Sequence, residues 1–375
     1  MIKRHMKIIQ TSNIYLGRYF EDNCGAGNKL RTGSKTVFSS IIDLAKEEKA
    51  DLVIFAGDIF DNLDLSQNLL DFFISEVGRL ENIPSVLLPG NRDAFEQGSF
   101  WGHWNVASPL KNLYVLAGKK PTSIEIPDLS LSVYGIPVGP GQTAEGQIEY
   151  CKKSGSSTFH IAVTNQRVET QNPAHNENPP NFRPFASFGF NYIAVCGGDN
   201  FREYSESTAK AASAGSPLGL SPENAGSGGI ALVDLQNGSV SVSLRKVKGF
   251  EWRTVDISME TIHNVDDLKA RILEFSNPNT LLKVRLSGLT LLETGLNTEQ
   301  LKSELEEHFL DLRFEDDTRV LPENISEVKV HEKTVLGQYL KVMVGKLNEA
   351  SETDRKKYEK SLKIGYSLLS GREVW

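Results

Sequence analysis

Cysteine is scarce in this chain: three residues in 375, Cys24, Cys151 and Cys196, none in a CxxC or Cys/His metal spacing. So few and so scattered thiols exclude a disulfide scaffold or a zinc ribbon and point to a reducing compartment. Long apolar runs are missing too. No stretch approaches the roughly 18 residues that a membrane-spanning helix needs, and no apolar export core follows Met1 to His5, so a cytoplasmic location without a membrane partner is expected. Excess positive charge is the third absence. Lys and Arg total 41 against 48 Asp and Glu, a net charge of −7, which leaves no global basic footprint, so any nucleic-acid contact must be local. What remains is ordinary globular usage, with 39% hydrophobic and 24% charged residues, which excludes a collagenous or wholly disordered chain. The length suits two or three domains.

The first third reads strand, loop, helix, repeated. Lys7 to Thr11, Asp51 to Ala56 and Ser85 to Leu88 are apolar strand runs, the last two stopped by Gly57 and Pro89-Gly90. Between them Ser39 to Lys49 and Leu69 to Leu80 carry helical spacing. Such βαβαβ patterning places chemistry on loops at the strands' carboxyl ends. From Leu113 to Phe250 shorter strands follow: Ser130 to Gly135, Phe159 to Thr164, Asn191 to Cys196, Gly229 to Leu235 and Ser239 to Val247. Ser205 to Gly229, dense in Ser, Ala and Gly, reads as a surface loop without chemistry. Beyond Trp252, Val265 to Phe275 and Asn297 to His308 read as helices, Leu281 to Leu286 and Glu327 to Val330 as strands, together a small α/β unit. Two apolar stripes close the chain: Val335, Leu336, Tyr339, Leu340, Met343 and Leu347, then Tyr358, Leu362, Tyr366 and Leu369. They predict a helical hairpin, with Ser351-x-x-Asp354 shaped like a capping box. Whether the stripes pack on this chain's own core or on a partner is open. The organisation is thus 1–250, 251–331 and 332–375.

The informative residues follow the strands: Thr11 to Gly17, Gly57-Asp58-Ile59-Phe60-Asp61, Pro89-Gly90-Asn91-Arg92-Asp93, Thr164-Asn165-Gln166, and Cys196-Gly197-Gly198-Asp199-Asn200. In this order and spacing they resemble the five motifs of the calcineurin-like metallophosphoesterases. The flanking sequence resembles the SbcD-type double-strand-break-repair exonucleases and their YhaO-like relatives, over about residues 6–250. The resemblance implies a two-sheet sandwich flanked by helices, a small α/β capping domain that orients DNA, and a terminal hairpin that grips an SMC-like (SbcC-type) ATPase partner.

In that family the motifs read D-x-H, G-D-x-x-D, G-N-H-D, a lone His and G-H-x-H, and their side chains hold two divalent metals, usually manganese. Two such cations about 3.5–4 Å apart clamp the oxygens of an in-line phosphoryl displacement and supply hydroxide near neutral pH. Carried over, the bridging carboxylate is Asp58 and the amide ligand Asn91. At the other positions stand Asn13, Tyr15, Asn165, Gly198 and Asn200, with Arg92 in place of the motif His that assists the chemistry. None of the seven histidines, His5, His103, His160, His175, His263, His308 and His331, falls on a motif position, although His160 and His175 lie near Asn165. Ordinary assembly of a dimetal centre is therefore not expected, and no cofactor is called for; were a metal bound, it would be manganese or magnesium.

Arg92 offers a way to neutralise Asp58, and an Arg92–Asp58 ion pair is predicted. The leading functional reading is a catalytically degenerate phosphoesterase subunit with a binding or scaffolding role beside the ATPase. Two alternatives stand next to it. One is an active nuclease or phosphodiesterase with an oxygen-rich site, in which Asp61, Asp93 and Asp199 join Asp58, Asn13 and Asn200. Against that, Asp61 and Asp93 have a plainer role as acceptors for loop backbone. The other is a structural homodimer without a nucleic-acid role.

Overall fold

A computed structural model describes the chain except residues 1–4, 20–26, 97, 108–109, 153–156, 167–181, 207–208, 221–225, 237–238, 263, 291–296, 321–329, 332 and 370–375. It divides into two units, Met1–Trp252 and Arg253–Trp375.

The first unit is two six-stranded sheets face to face. Strands β1 (His5–Thr11), β2 (Leu52–Phe55), β3 (Ser85–Leu87) and β4 (Leu113–Val115) run parallel in one sheet. The other holds β5 (Thr122–Ile126), β6 (Leu131–Ile136), β7 (Phe159–Thr164), β8 (Tyr192–Val195), β9 (Arg202–Glu206) and β10 (Ala209–Ser213), in the order β5-β6-β7-β8-β10-β9. Two further strands, β11 (Gly229–Gln236) and β12 (Ser239–Lys246), extend the first sheet antiparallel beyond β1.

Side-chain alternation decides what faces what. Ile8, Leu52, Ile54 and Val86 meet Leu131, Val133, Ile161, Val163 and Tyr192 in the core between the sheets. Phe55 points the other way, to rings of the helices on the outer face: Phe38 of α1 (Gly27–Glu47) at 5.9 Å and Phe73 of α2 (Gln67–Gly78) at 6.4 Å. Helix α3 (Phe100–Ala107), unmarked by any spacing read from the sequence, adds Trp101 and Trp104 to this aromatic cluster. On the far side of the second sheet, α4 (Ala144–Ile148) and α5 (Arg183–Phe188) supply Ile148 and Phe185 to a second core.

One expectation is overturned. Ser205 to Gly229, read as a surface loop, contains β10, an inner strand parallel to β8 with Ala211, Ala212 and Ser213 fully buried. Small residues lower strand propensity but let the sheet pack closely, so composition pointed the wrong way.

The second unit holds all but the first two residues of β13 (Glu251–Ser258), then α6 (Val265–Leu273), β14 (Asn277–Ser287), β15 (Leu289–Thr290), α7 (Thr298–Leu305), β16 (Phe309–Asp316) and β17 (Arg319–Val320). Strands β13, β14 and β16 form one sheet, with Leu268, Ile272, Leu301 and Leu305 of the helices in its core. The strand read at Glu327 to Val330 falls, but for Val330, outside the described residues. Helices α8 (Val335–Glu349) and α9 (Glu352–Leu369) turn their stripes on each other: Leu340, Met343 and Leu362 form a core flanked by Leu336, Tyr339, Leu347, Tyr358 and Tyr366. Val335, Val342, Leu368 and Leu369 stay exposed.

Candidate functional site

The carboxyl ends of β1 and β2 are zipped together beyond the sheet. Backbone N–H groups of Asn13, Ile14, Tyr15 and Leu16 donate to the carbonyls of Gly57, Asp58, Asp58 and Ile59 at 2.8–3.2 Å. Holding two loops this closely forces Asn13, Tyr15 and Asp58 into left-handed backbone, with φ of 54°, 52° and 53°. Each costs about 1–2 kcal/mol relative to glycine's freedom, a strain that persists only where the surroundings over-determine it. The third loop is as tight, since a Cβ on Gly90 would stand 2.2 Å from both the backbone nitrogen and Oδ1 of Asp58.

Asn13 sits at the centre and its carboxamide is used up. Nδ2 donates to the carbonyls of Cys196 (3.3 Å) and Gly198 (3.0 Å), and Oδ1 accepts from the Tyr15 hydroxyl (3.1 Å) and the Cys196 thiol (3.3 Å). The residues that build this seat carry no sequence signal of chemistry. Ser12 donates to the Cys196 carbonyl, Ser213 to the same oxygen, and Ser216 to the Asn13 carbonyl at 2.8 Å. Gln10 ties the sheets one layer below, donating to the Val195 and Ala212 carbonyls. Only their burial marks them: Gln10, Ser12, Ser213 and Ser216 are all fully enclosed.

Asp58 is buried and accepts from the backbone N–H of Arg92 at 2.7 Å. The predicted ion pair between the Arg92 guanidinium and Asp58 is not formed. The guanidinium turns outward to Asp61 at 3.3 Å, where Arg18 also approaches at 3.9 Å. The reason is geometric, because the backbone amide already occupies Asp58 Oδ1 and the side chain of the same residue then leaves the buried pocket. Both guanidiniums lie 5.7 Å from the centre of the Tyr15 ring, within cation–π range. Asp61 is therefore an ion-pair partner. Asp93 is the backbone acceptor that loops favour, taking N–H bonds from Ile59, Phe60 and Gly90. Burial, and the Asp58 charge beside it, push its carboxyl up to about 7 although those three donors pull it down.

Asn91, Asn165 and Gln166 lie on the other side, where β3 and β7 end, and line an open cavity of about 730 Å³. Asn165 is buried, 5% exposed, and its Oδ1 accepts from the Val138 N–H at 2.7 Å. Asn200 is exposed, and among the described residues no hydrogen bond joins its side chain to the rest. Asp199 only approaches the site, its Oδ1 3.5 Å from the Tyr15 hydroxyl. His160 does not reach it; it is packed within β7 against Tyr134, whose hydroxyl lies 3.2 Å from its Nδ1. His175, His263, Cys24 and the side chain of His103 lie outside the described residues.

A pair of divalent metals does not fit these residues. Of the seven ligand positions only Asp58 offers a carboxylate and none an imidazole, while the oxygens of Asn13 and Asn165 are bonded to protein donors. Two guanidiniums lie against the ring of Tyr15, which stands at one of those seven positions. Among the described residues no cluster of three or more His, Cys, Asp or Glu could share an ion.

Comparison with known proteins places the scaffold. Residues 6–173 match the Metallophos family, the calcineurin-like phosphoesterases. A 103-residue stretch is 33% identical to the DNA double-strand break repair protein Mre11 of Saccharolobus solfataricus, covering 27% of this chain and 26% of that protein. The chain thus spans about a quarter of the length of this relative. Among solved structures, TT1561 of Thermus thermophilus is 14% identical over 64% of this chain and 98% of that one, with a TM-score of 0.40. A dimetal phosphatase of Danio rerio is 10% identical over 64% and 96%, also at 0.40. Among the described residues no helix is long and apolar enough to cross a membrane. The first unit thus has the two-sheet fold of the calcineurin-like phosphoesterases, whose family model matches residues 6–173.

Proposed function

We propose that this chain is a phosphoesterase-fold subunit that works by binding rather than by two-metal hydrolysis, in a DNA-repair-type complex with an SMC-like ATPase. One observation carries the first half: the Asn13 carboxamide, at the position of the family's first ligand, is saturated by Cys196, Gly198 and Tyr15. A metal there would have to displace buried hydrogen bonds, each lost partner costing about 1–3 kcal/mol. The repair context is supported by the named relative and by the terminal hairpin, whose Val335, Val342, Leu368 and Leu369 remain uncovered.

Metal analysis of chelator-free protein, beside nuclease assays with manganese and with magnesium, tests the reading. The expected result is less than stoichiometric metal and no turnover; one or two bound equivalents with phosphodiester cleavage would overturn it. Binding of a DNA duplex is expected to weaken steeply with salt, as phosphate contacts do. Deleting residues 335–369 is expected to abolish capture of an SMC-like coiled coil.

A further inference from the structure

The cavity at the ends of β3 and β7 has a polarity opposite to that of a metal site. It is lined by Asn91, Asn165, Gln142 and Gln166, with Lys119 and Glu96 on its exposed margin and Leu88, Phe95, Leu116, Pro137 and Pro140 as apolar wall. Three of the four carboxamides are oriented by backbone groups that can only donate. Asn165 Oδ1 accepts from Val138 N–H at 2.7 Å, Gln166 Oε1 from Ala144 N–H at 3.1 Å, and Gln142 Oε1 from Gly139 N–H at 3.0 Å. A backbone N–H forces each side chain to turn its oxygen toward it, which settles which end of the amide is which. With the oxygens taken, what each has left for the cavity is its NH₂. Among the described residues no hydrogen bond engages Asn165 Nδ2, although this side chain is 95% buried and lines the cavity. A donor that opens onto the cavity from an otherwise enclosed side chain is free to meet an acceptor there.

We propose that this cavity binds a small organic oxyanion, a carboxylate or a phosphate monoester on an apolar body, without a metal. The NH₂ groups of Asn165, Gln166 and Gln142 grip the oxygens, Lys119 balances the charge, and Phe95 with the prolines covers the apolar part. The volume, about 730 Å³, falls in the usual range for small-molecule sites. This inference does not depend on the repair partner or on DNA.

The test is calorimetric titration of the full chain with phenyl phosphate and with benzoate, in the presence of a chelator. One saturating equivalent of either probe is expected, and the tighter probe identifies the oxyanion. Asn165→Asp and Gln166→Glu are the informative variants. Each keeps the oxygen that accepts the backbone N–H and replaces the donor by a negative oxygen, so each should bind at least ten-fold more weakly while the melting temperature stays near that of the parent. Lys119→Gln should weaken binding several-fold and flatten its salt dependence. No saturable binding in chelator, binding that appears only with added manganese, or folded Asn165→Asp and Gln166→Glu proteins that bind like the parent would overturn the proposal. Manganese-dependent turnover would sink the functional reading above and leave chelator-resistant binding intact.

Discussion

The two sides of the cleft differ in how they spend their polar groups. On the β1 and β2 side, Asn13, Tyr15, Asp58 and Asp93 are buried and bonded inward, to carbonyls, thiol, hydroxyl and backbone N–H. On the β3 and β7 side, Asn91, Asn165, Gln142 and Gln166 line open space, and the last three are held from behind by single backbone donors. Both sides stand at equivalent strand ends of one scaffold. The difference teaches that a binding loop becomes structure when its neighbours supply every hydrogen-bond partner, and stays a binding surface when they supply only half.

The largest effect that separates the two sides is expected at Gly90. A Cβ there meets Asp58 at 2.2 Å on backbone and carboxylate alike, and neither can move without breaking the zipped loops. Gly90→Ala should cost about 3 kcal/mol or more in urea unfolding, as a methyl forced into space that backbone and carboxylate already fill. The same change at Gly141, which has nothing within 4 Å of its Cβ but a φ of 72°, should cost about 1 kcal/mol.

Next in size is Asn13→Asp, which writes the family's own residue back into the first motif. Here it replaces a donor that serves the Cys196 and Gly198 carbonyls by an oxygen facing both. A loss of about 2–3 kcal/mol is expected with chelator present. If manganese at millimolar concentration restored that loss completely, the closed side would be a metal site after all.

A further effect, read by titration, is a dependence on pH. Asp93 holds its proton up to about 7 in the folded chain, against an ordinary 3.8, so the folded state binds that proton more tightly than the unfolded one. This contribution to stability is complete below about pH 4 and is lost as pH rises toward 7. Asp58→Asn removes the charge that raises Asp93 after burial itself, so the Asp93 midpoint, followed by carboxyl carbon NMR, should fall. An unchanged midpoint would mean that burial alone sets it.

Much of this was legible beforehand because it rests on local patterns. Apolar runs stopped by Gly57 and by Pro89-Gly90 mark β2 and β3, and the ordered phrases after them mark the loops. Ser205 to Gly229 misled because Ala and Ser report neither strand nor burial, yet they furnish β10 and the Ser213 and Ser216 hydroxyls behind Asn13. Arg92 misled differently. Charge complementarity with Asp58 is visible in composition, but which end of the residue reaches the carboxylate depends on backbone direction at Gly90.

By itself, then, the sequence determined the scaffold and the identity of every side chain at the seven ligand positions, including the absence of imidazole, since strand periodicity and motif spacing are properties of neighbours along the chain. Tertiary structure alone decided the sign of each carboxamide. Asn13 gives both ends to protein and Asn165 only its oxygen, because carbonyls from the loop after β8 converge on the first while a single Val138 N–H meets the second. An amide is donor and acceptor at once, and only its surroundings in space choose which face is left to offer.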